Sequence, residues 1–155
     1  MREILFRGKK WNTSVWDETE WVYGSLIDSG NHEQVAIYPW VNGASSMSVR
    51  QLVHARMESV KHETLGQYTG LTDKNGKRIF EGDIIKIRFE GDAEPPSTPP
   101  VWYETGKVIW HEQLHGWYVV FDSPDGIPIQ EYDDCDDVFV IGNVHDNPEL
   151  MEVET

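Results

Sequence analysis

The sequence predicts a mainly β fold of antiparallel strands with at most one short helix. Three observations carry that expectation. Asn75-Gly76 is a dipeptide suited to positive φ at both central positions of a two-residue hairpin turn, and it is flanked by Tyr68 and Leu71 on one side and Ile79 and Phe80 on the other. Beyond the turn signal Glu81-Gly82-Asp83, the residues Ile85, Ile87 and Phe89 alternate with Lys86 and Arg88, the period of two that lets a strand bury one face. The other apolar runs are short, rich in aromatic and β-branched residues, and punctuated by Gly, Pro, Asp and Asn, the composition of strands joined by turns.

The 155 residues suit one domain with enough chain to bury a core. Charged residues make up 26% and hydrophobic ones 39%, with seven Trp, six Tyr and five Phe, a composition that favours folding over disorder. No apolar run approaches the roughly 20 residues of a membrane span. The opening Met1 to Arg7 holds no apolar run of signal-peptide length, so a cytoplasmic protein is expected.

Taken in order, residues 3–7 and 21–27 read as strands, with Gly24 marking a bulge or a close backbone approach. Residues 28–31 form a turn cluster, and 35–40 a third strand whose Pro39 suits a sheet edge. Val49, Leu52, Val53 and Met57 could share one face of a short helix, with Ser46 or Ser48 as its cap. The alternative is a strand over 56–60 leading into a turn at 61–64. After the hairpin and the strand over 84–89, four prolines within residues 95–100 cannot join a ladder, which makes residues 91–100 an exposed, stiff loop. Pro96-Ser97-Thr98-Pro99 fits a PxxP pattern but has no basic anchor beside it. Strands follow at 107–110 and 117–121, a turn at 123–126, an acidic loop at 131–137 and a strand at 138–141. A short capped turn and an acidic tail end the chain. The expected organisation is a single domain over 1–155, with an N-terminal β segment at 1–45, a helix or connection at 46–63 and a second β part at 64–150.

The net charge of −14 is uneven: residues 1–107 carry 13 Lys and Arg against 15 Asp and Glu, whereas residues 108–155 carry 12 acids and no Lys or Arg. A phosphate backbone requires clustered cations, so the last third should repel nucleic acid. It reads either as a solvated acidic surface or as a face for a basic partner, with Asp133, Asp134, Asp136 and Asp137 as its candidate interaction loop. A local basic face is also available. Lys74, Lys77, Arg78, Lys86 and Arg88, with Lys107, could lie beside Tyr68 or Phe80, the cation-plus-aromatic combination that holds single strands. Cys135 is the only cysteine, which excludes an intramolecular disulfide. Its neighbours Asp133, Asp134, Asp136 and Asp137 disfavour the thiolate.

His111-Glu112-Gln113-Leu114-His115 satisfies the H-E-x-x-H zinc-protease pattern. That chemistry needs a helix, which puts both histidines on one face with the glutamate activating water. Here strand-like Val108 to Trp110 precedes the motif, and Gly116 followed by Trp117 to Phe121 succeeds it, so a hairpin loop is expected and no catalytic metal. A zinc hydrolase acting through His111, Glu112 and His115, with Glu131 or His145 as third ligand, is a remote alternative, and adventitious metal binding by His111 and His115 a lesser one. The acidic loop lacks the EF-hand ligand order. No Walker A, G-x-S-x-G or G-x-G-x-x-G sequence occurs, and no cofactor is expected.

The run Gly66-Gln67-Tyr68-Thr69-Gly70-Leu71-Thr72-Asp73-Lys74-Asn75-Gly76-Lys77, followed by Ile79-Phe80-Glu81-Gly82-Asp83-Ile84, resembles the YopX family of phages and prophages. Arg2-Glu3-Ile4, Phe6-Arg7 and Trp21-Val22-Tyr23-Gly24 resemble its opening hairpin. Val140-Ile141-Gly142-Asn143 and Asn147-Pro148-Glu149-Leu150 resemble its close. The resemblance spans nearly the whole chain and departs from the pattern in the longer 9–21 segment and the proline loop. It implies a mainly β protein with a small barrel-like C-terminal part, self-association into a homo-oligomer, a bacterial host cytoplasm, and no catalytic residues. The function expected is therefore a non-enzymatic phage or prophage accessory protein acting through contacts with host or phage proteins. A small-barrel nucleic-acid-binding protein is the alternative.

Overall fold

A computed structural model describes residues 3–11, 20–30, 35–39, 57–95, 97–121, 126–129 and 137–152. By internal contacts the chain divides into two compact units, Met1–Tyr68 and Thr69–Thr155. The described residues are mainly β and antiparallel, and their helical content is confined to short 3-10 turns.

The first unit contains β1 (Phe6–Lys9), β2 (Trp21–Asp28), β3 (Val35–Pro39), β4 (Glu58–Val60), a 3-10 turn (His62–Thr64) and the start of β5 (Gly66–Thr72). The strands neighbour one another in the order β4-β3-β2-β1-β5. Strand β1 begins three residues later than expected, at Phe6. The expected close approach at Gly24 is present: a Cβ there would lie 1.9 Å from the Tyr38 carbonyl oxygen. Val22, Val35, Ile37 and Val60 form the core, with Phe6, Leu26 and Leu65 packed on it. Of the two readings of the connecting region, the strand is the one seen where the chain is described, at Glu58–Val60. Residues 46–56, where a helix was the other expectation, lie outside the described residues. Thr64 fixes the turn that follows: its Oγ1 accepts the Lys9 N–H at 2.9 Å and donates to the Lys61 carbonyl at 2.7 Å.

The second unit holds the end of β5, then β6 (Arg78–Phe80), β7 (Asp83–Glu90), β8 (Val101–His111), β9 (Gly116–Val120), β10 (Ile127–Pro128), β11 (Val138–Asn143) and a 3-10 turn (Pro148–Met151). Strand β6 pairs with β5, and the last five strands form a sheet in the order β10-β9-β8-β7-β11. Its core is Ile79, Ile85, Ile87, Val108, Trp117, Val119, Ile129 and Val138; Ile85, Ile87, Trp117 and Val119 are inward positions that the alternation in the sequence predicts. Among the described residues the barrel-like closure expected for this part is not found; the sheet is open, with β10 and β11 as its edges. Both edges are ill suited to closing. Strand β10 is two residues long and ends in Pro128, which has no N–H to donate. Strand β11 is engaged instead by the β5–β6 turn: the Val140 N–H donates to Asp73 Oδ2 at 3.0 Å, and the Lys74 N–H to the Val138 carbonyl at 3.0 Å.

The same contacts correct the expected two-residue turn at Asn75-Gly76. Strand β5 ends at Thr72 and β6 begins at Arg78, and Gly76 takes positive φ (+77°) whereas Asn75 does not. The Gly76 N–H closes a four-residue turn onto the Asp73 carbonyl, while Asp73 Oδ1 accepts the N–H groups of Asn75 and Lys77. A side chain that captures backbone donors two and four residues on overrides the preference of the dipeptide.

Candidate interaction site on the β7–β8 ribbon

Strands β7 and β8 pair in register from Ile84 opposite Lys107 to Glu90 opposite Val101. One end of this ribbon is core, with Ile84, Ile85 and Val108 fully buried. At the other end the side chains on both ribbon faces meet solvent: Val101 is 45% exposed, Trp102 44% and Tyr103 52%. Three consecutive large apolar residues thus place apolar side chains in solvent on both faces of the ribbon end. The loop beyond them is tied at its base, the Gly91 N–H donating to the Pro100 carbonyl at 2.9 Å, and its described residues lie outside the strands, exposed or half-buried.

Alternation assigns each aromatic to a face. Trp102 lies opposite Phe89 and stacks on it, ring centroids 5.6 Å apart and planes 14° from parallel, while Phe89 meets Phe121 edge-on at 6.4 Å. The indole is thus anchored to the hydrophobic cluster through Phe89. Its Nε1–H donates to Glu104 Oε1 at 3.1 Å, which holds a carboxylate beside the ring. On the other face the Lys86 ammonium sits 4.8 Å from the Tyr103 ring centroid, a cation–π contact. Arg88 donates to Glu90 at 2.6 Å and to Asp137 at 3.5 Å. Its guanidinium is held above its ordinary pKa, first by the hydrogen bond to Glu90.

The basic residues expected to form one face are only partly gathered. Lys74 and Lys77 lie in the β5–β6 turn and Arg78 opens β6. Lys74 Nζ lies 5.7 Å from the Phe139 ring, and Phe139 is the register partner of Lys86, so Lys74, Phe139, Lys86 and Tyr103 make a short cation–aromatic row. Arg88 is committed to its two carboxylates. Of the acidic loop, Asp133, Asp134 and Asp136 lie outside the described residues, and Asp137 is the residue paired with Arg88.

His111, Glu112 and His115 lie where the hairpin expectation puts them. His111 ends β8 opposite Gly116, residues 112–115 form the turn, and His115 adopts φ +50°. His111 Nδ1 accepts the Leu114 N–H at 3.3 Å and its ring packs on Tyr118 at 5.1 Å. The helix that zinc ligation by this motif requires is absent from the hairpin. Among the described residues no group of three His, Cys, Asp or Glu could hold a metal. The carboxylates of the central motif serve the backbone: Asp73 as above, and Asp83, 1% exposed, accepting the Phe80 N–H at 2.8 Å.

The aromatic end of the ribbon is the feature the sequence reading missed. Its strand expectation began at Lys107, whereas β8 begins at Val101. The available signal was the Val101-Trp102-Tyr103 triplet directly after the proline loop.

These features define a mainly β protein of open antiparallel sheets that presents an aromatic ribbon. The chain belongs to the YopX family, whose model, described as YopX protein, matches residues 6–152. Among solved structures it is similar to protein EF1440 from Enterococcus faecalis, at 23% identity over 98% of this chain and 100% of that one, with a TM-score of 0.54; that likeness concerns the fold. No curated protein matches the sequence.

Proposed function

We propose that this protein is a non-enzymatic accessory protein of phages and prophages, acting in the bacterial host cytoplasm through protein contacts, self-association among them, made by the β7–β8 ribbon. The observation that carries this reading is the exposure of Val101, Trp102 and Tyr103 on a ribbon pinned by Phe89. Trp and Tyr dominate the energetics of protein interfaces because they bury large area at small entropic cost, and a ring already stacked on its neighbour loses little further freedom on binding. The test replaces both residues, Trp102→Ser with Tyr103→Ser, and compares crosslinked protein partners with those of the wild type in host cells. Loss of the partners with the fold retained supports the reading. Unchanged partners, or substrate turnover by a protein that makes no contacts, would overturn it.

A second reading, a single-strand nucleic-acid face, is favoured by the row Lys74, Phe139, Lys86 and Tyr103. It is opposed by charge, since residues 69–155 carry six Lys and Arg against 19 Asp and Glu. Salt-sensitive binding of single-stranded DNA that Lys86→Glu abolishes would establish it in place of the first.

A further inference from the structure

We propose that Trp102 and Glu104 together receive an arginine side chain from a protein partner, an inference that rests on reading the ribbon as a contact surface. Two of the requirements for holding a guanidinium are an aromatic face to stack on and a carboxylate to pair with. Both lie on one face of β8. Trp102 is fixed through Phe89 and is 44% exposed, and its Nε1–H holds Glu104 at 3.1 Å. The indole hydrogen bond leaves the carboxylate with acceptor capacity, because an ionised carboxylate has about four lone-pair sites.

Charge around the pair selects the occupant. Residues 89–106 contain Glu90, Asp92, Glu94 and Glu104 and no Lys or Arg. Glu90 is neutralised by Arg88, whereas no described cation forms an ion pair with Asp92, Glu94 or Glu104. The chain segment that carries the pair therefore bears uncompensated negative charge, which repels phosphate and complements a cationic partner. The ribbon already holds one cation in this manner, since Lys86 rests on Tyr103 on the opposite face. An ammonium can also rest on a ring, but only the planar guanidinium stacks flat on the indole while its fork pairs with the carboxylate.

The experiment measures binding of the full-length protein to three labelled probes by fluorescence anisotropy. These are a peptide rich in arginine and leucine, the same peptide with lysine for arginine, and a single-stranded oligodeoxynucleotide. The expected order is arginine peptide over lysine peptide, with the oligonucleotide weakest. Trp102→Leu, which keeps apolar area and removes the π face, should weaken the arginine peptide roughly threefold to tenfold, the size of about one cation–π contact, and Glu104→Gln, which keeps an acceptor for the indole and removes the charge, roughly twofold to fivefold, the size of about one exposed ion pair. Circular dichroism confirms that both variants are folded. Equal binding of the arginine peptide to the wild type and both variants would overturn the inference, leaving only the attraction of a chain of net charge −14. Preferential binding of the oligonucleotide would also overturn it. Photocrosslinkers at Tyr103 and, on the Trp102 side, at Pro100 separate the two levels: capture at Pro100 of a protein with no arginine at the contact rejects the arginine receptor and keeps the contact surface, whereas no protein crosslink from either position rejects both.

Discussion

Replacing Asp73 tests the claim that the family motif is scaffold. Its carboxylate is 7% exposed and accepts three backbone N–H groups: Asn75 at 2.8 Å, Lys77 at 2.9 Å and, 67 positions along the chain, Val140 at 3.0 Å. Hydrogen bonds to a charged group contribute about 1.5–3 kcal/mol each, but the turn donors can regain water once the side chain is gone, so Asp73→Ala should cost roughly 3–5 kcal/mol in all. Asp73→Asn keeps one oxygen for the turn and sets an amide donor against the Val140 N–H, for a loss of about 2 kcal/mol. At about 4–8 °C per kcal/mol for a unit of this size, the alanine variant should lose more than ~10 °C in Tm. Urea unfolding followed by tryptophan fluorescence reads the same loss as a lower midpoint, with Lys74→Ala at the exposed neighbouring position as the control. An Asp73→Ala protein as stable as the control would refute the structural role and return this carboxylate to the list of groups available for chemistry.

Gly24→Ala should disrupt the first unit, because the new Cβ would fall 1.9 Å from the Tyr38 carbonyl oxygen where the β2–β3 pairing begins; loss of soluble expression or of amide protection in β2 and β3 checks this. Gly76→Ala meets open space and strains only φ, so it should cost about 1 kcal/mol, read as a few degrees in Tm. Lys10, between Glu20 at 3.1 Å and Glu58 at 3.7 Å, has its pKa raised, first by the hydrogen bond to Glu20. The stability its ion pairs supply is present below the ordinary lysine pKa and is lost as pH rises through the raised one, so Lys10→Met should narrow the difference in Tm between neutral and strongly alkaline pH. His111→Ala should leave the metal content of the purified protein unchanged; zinc present in the wild type and absent from the variant would reinstate the discarded motif.

The strands that bury one face were legible because a period of two is written locally: β9 follows it throughout and β7 from Ile85 onward. Strand β8 was legible only from Lys107, since its first residues are exposed on both faces and owe their conformation to register with β7. No local pattern encodes that pairing. The turn at Asn75-Gly76 was misread because the dipeptide favours one geometry, whereas the Asp73 carboxylate captures the Asn75 and Lys77 N–H groups and imposes another. Openness of the second sheet is likewise a property of its edges, fixed by Pro128 and by the turn bound to β11. The hairpin at 111–116 could be read correctly because strand signals on both sides left no room for a helix. Of the candidate site, Lys86 and Arg88 were found by charge, while Trp102 and Glu104 were not, because the start of β8 is exposed on both faces and carries no period of two.

The most direct test of the account places a photoreactive residue at Tyr103 and, as a control, at Lys77 in the β5–β6 turn, and compares the crosslinked products in host cells. The account predicts protein adducts from position 103 that are absent from position 77 and that Trp102→Ser diminishes. Equal labelling from both positions, or adducts to nucleic acid alone, would contradict it.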